Sequence, residues 1–307
     1  MHRTVYVLGV PMDHGAGRRG VGMGPSALRI GGLHDALAQV GCSVHDLGDI
    51  EVAAPETLAP GDPNARYLSL IASVCDEVCR TTETVFQQGG FPLVIGGDHS
   101  LAIGSISASA AHLHSATHGA PKSLGLIWFD AHADINTPQS SPSGNIHGMP
   151  LACLLGHGPP ALTDLAFAGA KLDARHCALI GVRDIDGGER ALLAASGIRV
   201  FTMADIDKRS MATVMAEALA VATTGTGMLH VSFDVDVLDP QVAPGTGTTK
   251  PGGLTYREAH LALELVADSG RLSSMDMVEI NPTLDVHNQT AELAVELIAS
   301  ALGKRIL

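Results

Sequence analysis

At 307 residues, with hydrophobic residues at 46%, charged residues at 17% and a mean hydropathy of +0.22, the chain has the composition of a protein with a large core, not of a disordered one. Its formal charge is −13 with only 19 Lys+Arg, the wrong sign for electrostatic nucleic-acid binding, and it has no run of about 18 apolar residues that could span a bilayer. The five cysteines (Cys42, Cys75, Cys79, Cys153 and Cys177) are odd in number and scattered, which suits reduced thiols in a cytoplasm.

The first segment, TVYVLGV (4–10), reads as a strand, its apolar stretch being too short for a signal peptide. The run 20–24 lacks G-x-G-x-x-G spacing and reads as a turn into a helix over 25–40 that begins near Pro25. Then follow a strand at 43–47, a helix at 64–88, the strand FPLVI (91–95), a helix at 100–115 and the strand SLGLIWF (123–129). His112, His114 and His118 read as solvated residues at that helix's end. Further strands are HCALIGV (176–182), IRVFT (198–202), MLHVSF (228–233) and SSMDMVEI (273–280), with helices at 188–196, 203–222, 255–268 and 290–302. Thr255 and Glu258 have capping-box spacing at the start of one of these. Strand–helix alternation predicts an α/β fold, a parallel sheet covered by helices on both faces. With no linker, repeat or low-complexity tract, one domain over 1–307 is expected. The long irregular stretches are 11–24, 135–148 and 237–253, and long loops in compact domains are usually functional.

Polar residues cluster where strands end. Gly96-Gly97-Asp98-His99 follows FPLVI; Asp130, His132 and Asp134 follow LIWF; Arg183, Asp184 and Asp186 follow ALIGV; Asp234, Asp236 and Asp239 follow HVSF; Glu279 ends SSMDMV. In a parallel sheet these ends share one edge, where open α/β sheets bind ligands. A lone histidine after a strand is more often a cap, and a D-x-D more often a turn. D-x-H-x-D is a stronger signal, because buried like charges need compensation. His99, Asp130, His132, Asp134, Asp234 and Asp236 together point to a metal site. With four carboxylates, two imidazoles and no thiolate, the set suits Mn(II), and less well Zn or Fe. Four carboxylates balance two dications in formal charge, which argues for a dinuclear centre.

At these residues the sequence resembles the arginases, within the ureohydrolase family. GGDHSLAIGS (96–105), WFDAHADINTP (128–138) and SFDVDVLDP (232–240) match that family's three signatures, and the likeness runs from GVPMDHGAGRRGVGMGPSALR to GLTYRE and MDMVEINP. The resemblance implies an eight-stranded parallel sheet and two Mn(II) ions, with Co(II) or Fe(II) as alternatives. It places His99, Asp130, Asp134 and Asp234 on one metal and Asp130, His132, Asp234 and Asp236 on the other. The implied reaction is hydrolysis of the guanidinium of L-arginine to L-ornithine and urea by a metal-bridging hydroxide. Asn136, Ser141, Ser143 and Asn145 would read the α-carboxylate, and Asp186 and Glu189 the α-ammonium. Glu279, with Thr248 nearby, would orient the guanidinium; Asp134 would carry a proton; His147 would shuttle protons with a pKa near working pH. Pro142 and Val237 depart from some family members. Cytoplasmic trimers or hexamers are implied, the short C-terminus leaving little room for an exchanged tail. The alternatives are a related ureohydrolase acting on agmatine or guanidinobutyrate, a zinc amidohydrolase with one metal, and a non-catalytic metal-binding protein.

Overall fold

The apolar runs build one sheet because most of them would be costly to expose on either face. The structure, a computed structural model, describes residues 3–116 and 123–305. Its strands are β1 (Thr4–Gly9), β2 (Ser43–Asp49), β3 (Phe91–Ile95), β4 (Ser123–Phe129), β5 (Cys177–Val182), β6 (Arg199–Thr202), β7 (Thr226–Asp234) and β8 (Leu272–Val278). They are all parallel, in the order β2-β1-β3-β8-β7-β4-β5-β6. The edge strand β2 is largely exposed and carries His45, Asp46 and Asp49, polar groups that blunt an open edge.

The helices are α1 (Gly24–Ile30), α2 (Leu33–Gln39), α3 (Leu68–Gln87), α4 (Ala102–Ala116), α5 (Pro150–Leu154), α6 (Pro160–Thr163), α7 (Gly187–Ser196), α8 (Met203–Arg209), α9 (Met211–Thr223), α10 (Tyr256–Asp268) and α11 (Gln289–Ala301). Two expected helices are each divided. The segment 25–40 breaks at Gly31-Gly32, where Gly32 has φ +88°. The segment 203–222 breaks at Ser210 (φ 72°), whose hydroxyl accepts the Thr213 amide and starts a new helix. The short helices α5 and α6 were not anticipated; each opens on a proline, which suits a first helical position. The Thr255–Glu258 capping box forms as read.

Alternate strand residues serve two cores. Val7, Leu93, Phe129, Phe233 and Met275 pack under α1, α2 and α8 to α11. Leu8, Val94, Leu126, Trp128 and Val278 pack under α3, α4 and α5. Contact is closest at Gly125 of β4, where a Cβ would lie 1.7 Å from the Ala222 carbonyl oxygen of α9. His112 is not freely solvated as expected: it is half-buried and stacks on Phe86 at 4.6 Å. His114 is exposed, and His118 lies outside the described residues. All five cysteines are free, four of them buried. Among the described residues no helix is long and apolar enough to cross a membrane.

Candidate active site

Because the sheet is parallel, the carboxyl ends of β3, β8, β7, β4 and β5 lie side by side, and every expected ligand sits there. After β3 the chain turns through Gly96 (φ +76°) and Gly97 (φ +72°), the latter so close to the Val10 carbonyl that a Cβ would sit 2.4 Å from it. Asp98 then caps a single 3-10 turn by accepting the Ser100 amide, which presents His99 inward. Asp234 likewise accepts the Asp236 amide at 2.8 Å. The D-x-D is therefore a turn cap and a pair of inward carboxylates at once. Two site residues hold left-handed backbones, Asp134 (φ 49°) and Glu279 (φ 64°), a strain of about 1–3 kcal/mol each that clusters at functional sites.

The His99 Nδ1 atom lies 3.4 Å from Asp130 Oδ2, 3.1 Å from Asp134 Oδ2 and 3.2 Å from Asp234 Oδ2. None of these oxygens is aligned to accept a hydrogen bond, so the fully buried Nδ1 is left without a partner. His132 Nδ1 lies 3.0 Å from Asp236 Oδ2 and 3.4 Å from Asp130 Oδ1. Two clusters result, His99/Asp130/Asp234 and Asp130/His132/Asp236, each with ligand atoms within 4.8 Å of one another, and Asp130 belongs to both. Asp134 stands beside the first through His99. Asp234 falls in one cluster only, whereas the resemblance makes it a second bridge.

Electrostatics agree with this geometry. Burial lowers the affinity of His99 for a proton, but the surrounding Asp130, Asp134 and Asp234 outweigh it and raise the pKa well above the usual range. Burial and the Asp130 charge push the Asp134 carboxyl up to about 7. Burial, Asp236 and Asp130 raise Asp234 strongly. Such crowding needs added positive charge. Donor atoms that converge on a common point, without bonding one another, fit divalent cations held by nitrogen and oxygen.

A cavity of about 180 Å³ opens over the clusters. It is lined by His132, Asp134, Asn136, Ser141, Pro142, Ser143, Asn145, His147, Asp186, Glu189, Asp234, Asp236 and Thr248, so the expected substrate-facing residues are brought together. Several also have local duties. Asp186 caps α7 by accepting the Glu189 amide, while the Glu189 carboxylate accepts the Asp186 amide. Asn136 Nδ2 donates to Asp186 Oδ2 at 2.8 Å. Ser141 and Ser143 accept the amides of Gly144 and Asn145, which shapes the loop containing Pro142. Thr248 Oγ1 donates to Asp236 Oδ2 at 2.8 Å.

His147 and Glu279 are in direct contact. Glu279 is buried, and its Oε1 accepts the His99 amide at 3.0 Å and meets His147 Nδ1 at 2.9 Å. Burial would lower the His147 pKa, but the Glu279 carboxylate outweighs it and lifts it to about 9. Asp239, named with the acids at this edge, faces away: it accepts the amides of Gln241, Gly252 and Gly253. Val237 is a core residue packed against Gly181 (φ +94°), where a Cβ would lie 2.3 Å from its Cγ2.

Sequence reasoning assigned no role to three residues that hold the expected ligands in place. Trp128 Nε1 donates to Asp130 Oδ2 at 2.9 Å, and its ring stacks on His99 at 4.0 Å. Ser232 Oγ sits 2.8 Å from His99 Nε2. Arg183 donates to the carbonyls of Asp236, Val237, Leu238 and Lys250, pinning the loop after β7. Their signal was present but faint: Ser232 is two residues from Asp234 and so shares its face of the strand.

A profile of the arginase family matches residues 3–303. The arginase of Brevibacillus brevis is 45% identical over 307 residues, covering 100% of both chains. The arginase of Bacillus caldovelox is 44% identical over 306 residues, covering 99% of this chain and 100% of its own. The native crystal structure of the Bacillus caldovelox arginase superposes with a TM-score of 0.94 at 44% identity, over 99% of this chain and 100% of that one. With this sheet, these strand ends and these relatives along its whole length, the chain belongs to the arginase family and is a hydrolase of that family.

Proposed function

We propose that this chain hydrolyses L-arginine to L-ornithine and urea, with two Mn(II) ions held by His99, Asp130, Asp134 and Asp234 and by Asp130, His132, Asp234 and Asp236. The observation that carries this reading is the pair of His/carboxylate clusters sharing Asp130 at the floor of a small pocket ringed by hydroxyls, amides and acids. Two bound dications would acidify a shared water and so supply a nucleophile near neutral pH.

The protein's own residues supply position and protons. The guanidinium carbon gains an oxygen and loses the nitrogen that becomes the side-chain amine of ornithine, so one proton must travel to that amine. Asp134, which borders the pocket and His99, is placed to take and return it. Glu279 Oε2 takes no hydrogen bond among the described residues, which leaves it available to the planar donors of a guanidinium. His147, protonated at neutral pH, is an acid at the rim that can protonate the departing amine. Ser141, Ser143 and Asn145 offer donors to an α-carboxylate; Asp186 and Glu189 offer charge to an α-ammonium. Thr248 steadies Asp236. The whole of 1–307 serves as one catalytic domain, since its site draws on residues from His99 to Glu279. A cytoplasmic trimer or hexamer is the assembly proposed, which light scattering on purified protein measures.

Urea release from L-arginine beside agmatine, with metal content measured on the same sample, tests the reading. Arginine turnover with about two Mn(II) per chain is expected. No urea from protein carrying both ions rejects it, and a preference for agmatine reassigns the substrate.

A further inference from the structure

Behind His99 a seam of polar side chains runs away from the pocket into the core. On β7 and β8, His230 pairs with Ser274 and Ser232 with Asp276. Helix α4 lays Ser105 and Ser109 over them, four residues apart. None of these six residues is more than 1% exposed. Polar groups so deep are costly unless each is satisfied in a definite arrangement.

The proton directions follow from chemistry. If His99 keeps Nδ1 as a lone pair for a cation, its proton resides on Nε2, which donates to Ser232 Oγ at 2.8 Å. Ser232 has one proton, and it goes to Asp276 Oδ1 at 2.5 Å. Asp276 Oδ2 accepts Ser105 Oγ at 2.6 Å and meets His230 Nε2 at 2.9 Å. His230 Nδ1 meets Ser274 Oγ at 2.8 Å. Among the described residues no lysine or arginine lies within ion-pair distance of Asp276, so His230 is its basic partner.

We propose that Asp276 is a positioning residue for the metal centre: acting through Ser232, its carboxylate holds His99 as the Nε2–H tautomer with Nδ1 free to ligate. This rests on the reading of His99 as a ligand. Removing outer partners of a ligating histidine typically weakens metal affinity by about 10–100-fold. Asp276→Asn keeps the volume, removes the charge and offers a competing donor to Ser232. Ser232→Ala removes the connection itself.

The test is Mn(II) titration calorimetry on the full chain, on each single variant and on the double variant, with circular dichroism of the metal-free proteins as the folding check. Each single change is expected to weaken Mn(II) binding about 10–100-fold, and the double variant to be no more than about threefold worse than the weaker single. An Asp276→Asn protein that binds Mn(II) within threefold of the parent overturns the proposal, as does a double variant whose loss is the product of the two. If Asp276→Asn does not fold, His230→Gln, which strips the carboxylate of its basic partner, enters the same cycle under the same two criteria. A parent that binds no Mn(II) overturns the metal reading beneath, a result distinct from a parent and variant that bind it equally.

Discussion

Asp130→Asn is the most discriminating change at the proposed centre. Asp130 is 1% exposed and already committed on both oxygens: Oδ2 accepts the Trp128 indole N–H at 2.9 Å, and Oδ1 accepts the His132 amide at 2.7 Å. An amide cannot accept on both sides. Whichever way the substituted side chain turns, its NH2 faces one of those donors, a mismatch of about 1–3 kcal/mol. In the metal-free protein, relief of repulsion with Asp134 and Asp234 offsets part of that mismatch, but the attraction to His132 and His99 that, despite burial, holds the Asp130 carboxyl well below its usual range is lost as well, so the melting temperature should fall by about 5 °C or more. Metal binding has no such offset. The charge is lost from both clusters together, and breaking a buried charge pair costs about 3–5 kcal/mol, or about two to three and a half decades of affinity. Calorimetric titration with Mn(II) and elemental analysis after dialysis measure this. A variant that retains two Mn(II) per chain at parental affinity would refute the shared role of Asp130.

Ser143→Ala should raise KM for L-arginine with little effect on kcat, and leave substrates without an α-carboxylate nearly unchanged; equal losses on arginine and agmatine would contradict its place in the carboxylate-reading loop. The His147 pKa is raised from 6.5 to about 9 by Glu279 despite burial, so the stability this pair supplies is fully present below pH 6.5 and lost as pH rises through about 9. Melts of the parent and His147→Gln in chelator should differ by about 2–3 kcal/mol near pH 6 and converge near pH 10; a gap that widens with pH has the wrong sign for this pairing. Gly125→Ala should destabilise by about 3 kcal/mol or more, because β4 and α9 must part to admit a methyl 1.7 Å from the Ala222 carbonyl; denaturant melts within about 1 kcal/mol of the parent would show that the helix shifts freely.

Much of the fold was legible because most strands are short apolar runs, several of them bounded by glycine or acid, and a parallel sheet leaves no ambiguity about which edge receives the residues after it. That the six residues expected as ligands meet at one edge was legible for the same reason. The two divided helices were not, since Gly31-Gly32 and Ser210 interrupt apolar periodicity only by backbone conformation. The high pKa of His147 was hidden because its partner Glu279 is 132 residues away. The roles of Trp128 and Ser232 were hidden too: in sequence they are simply strand residues, and only packing shows that they grip Asp130 and His99. Asp239 resembles its neighbours Asp234 and Asp236 in composition and differs only in where the turn after β7 points it.

The strand order has a bearing on how the protein is made. Of the eight strands among the described residues β8 is synthesised last, yet it lies between β3 and β7 at the middle of the sheet. Until it emerges from the ribosome, two inner edges stay unpaired and Glu279 does not yet exist beside His99. A translation product interrupted before β8 would expose two sticky inner strand edges and lack the carboxylate that accepts the His99 amide.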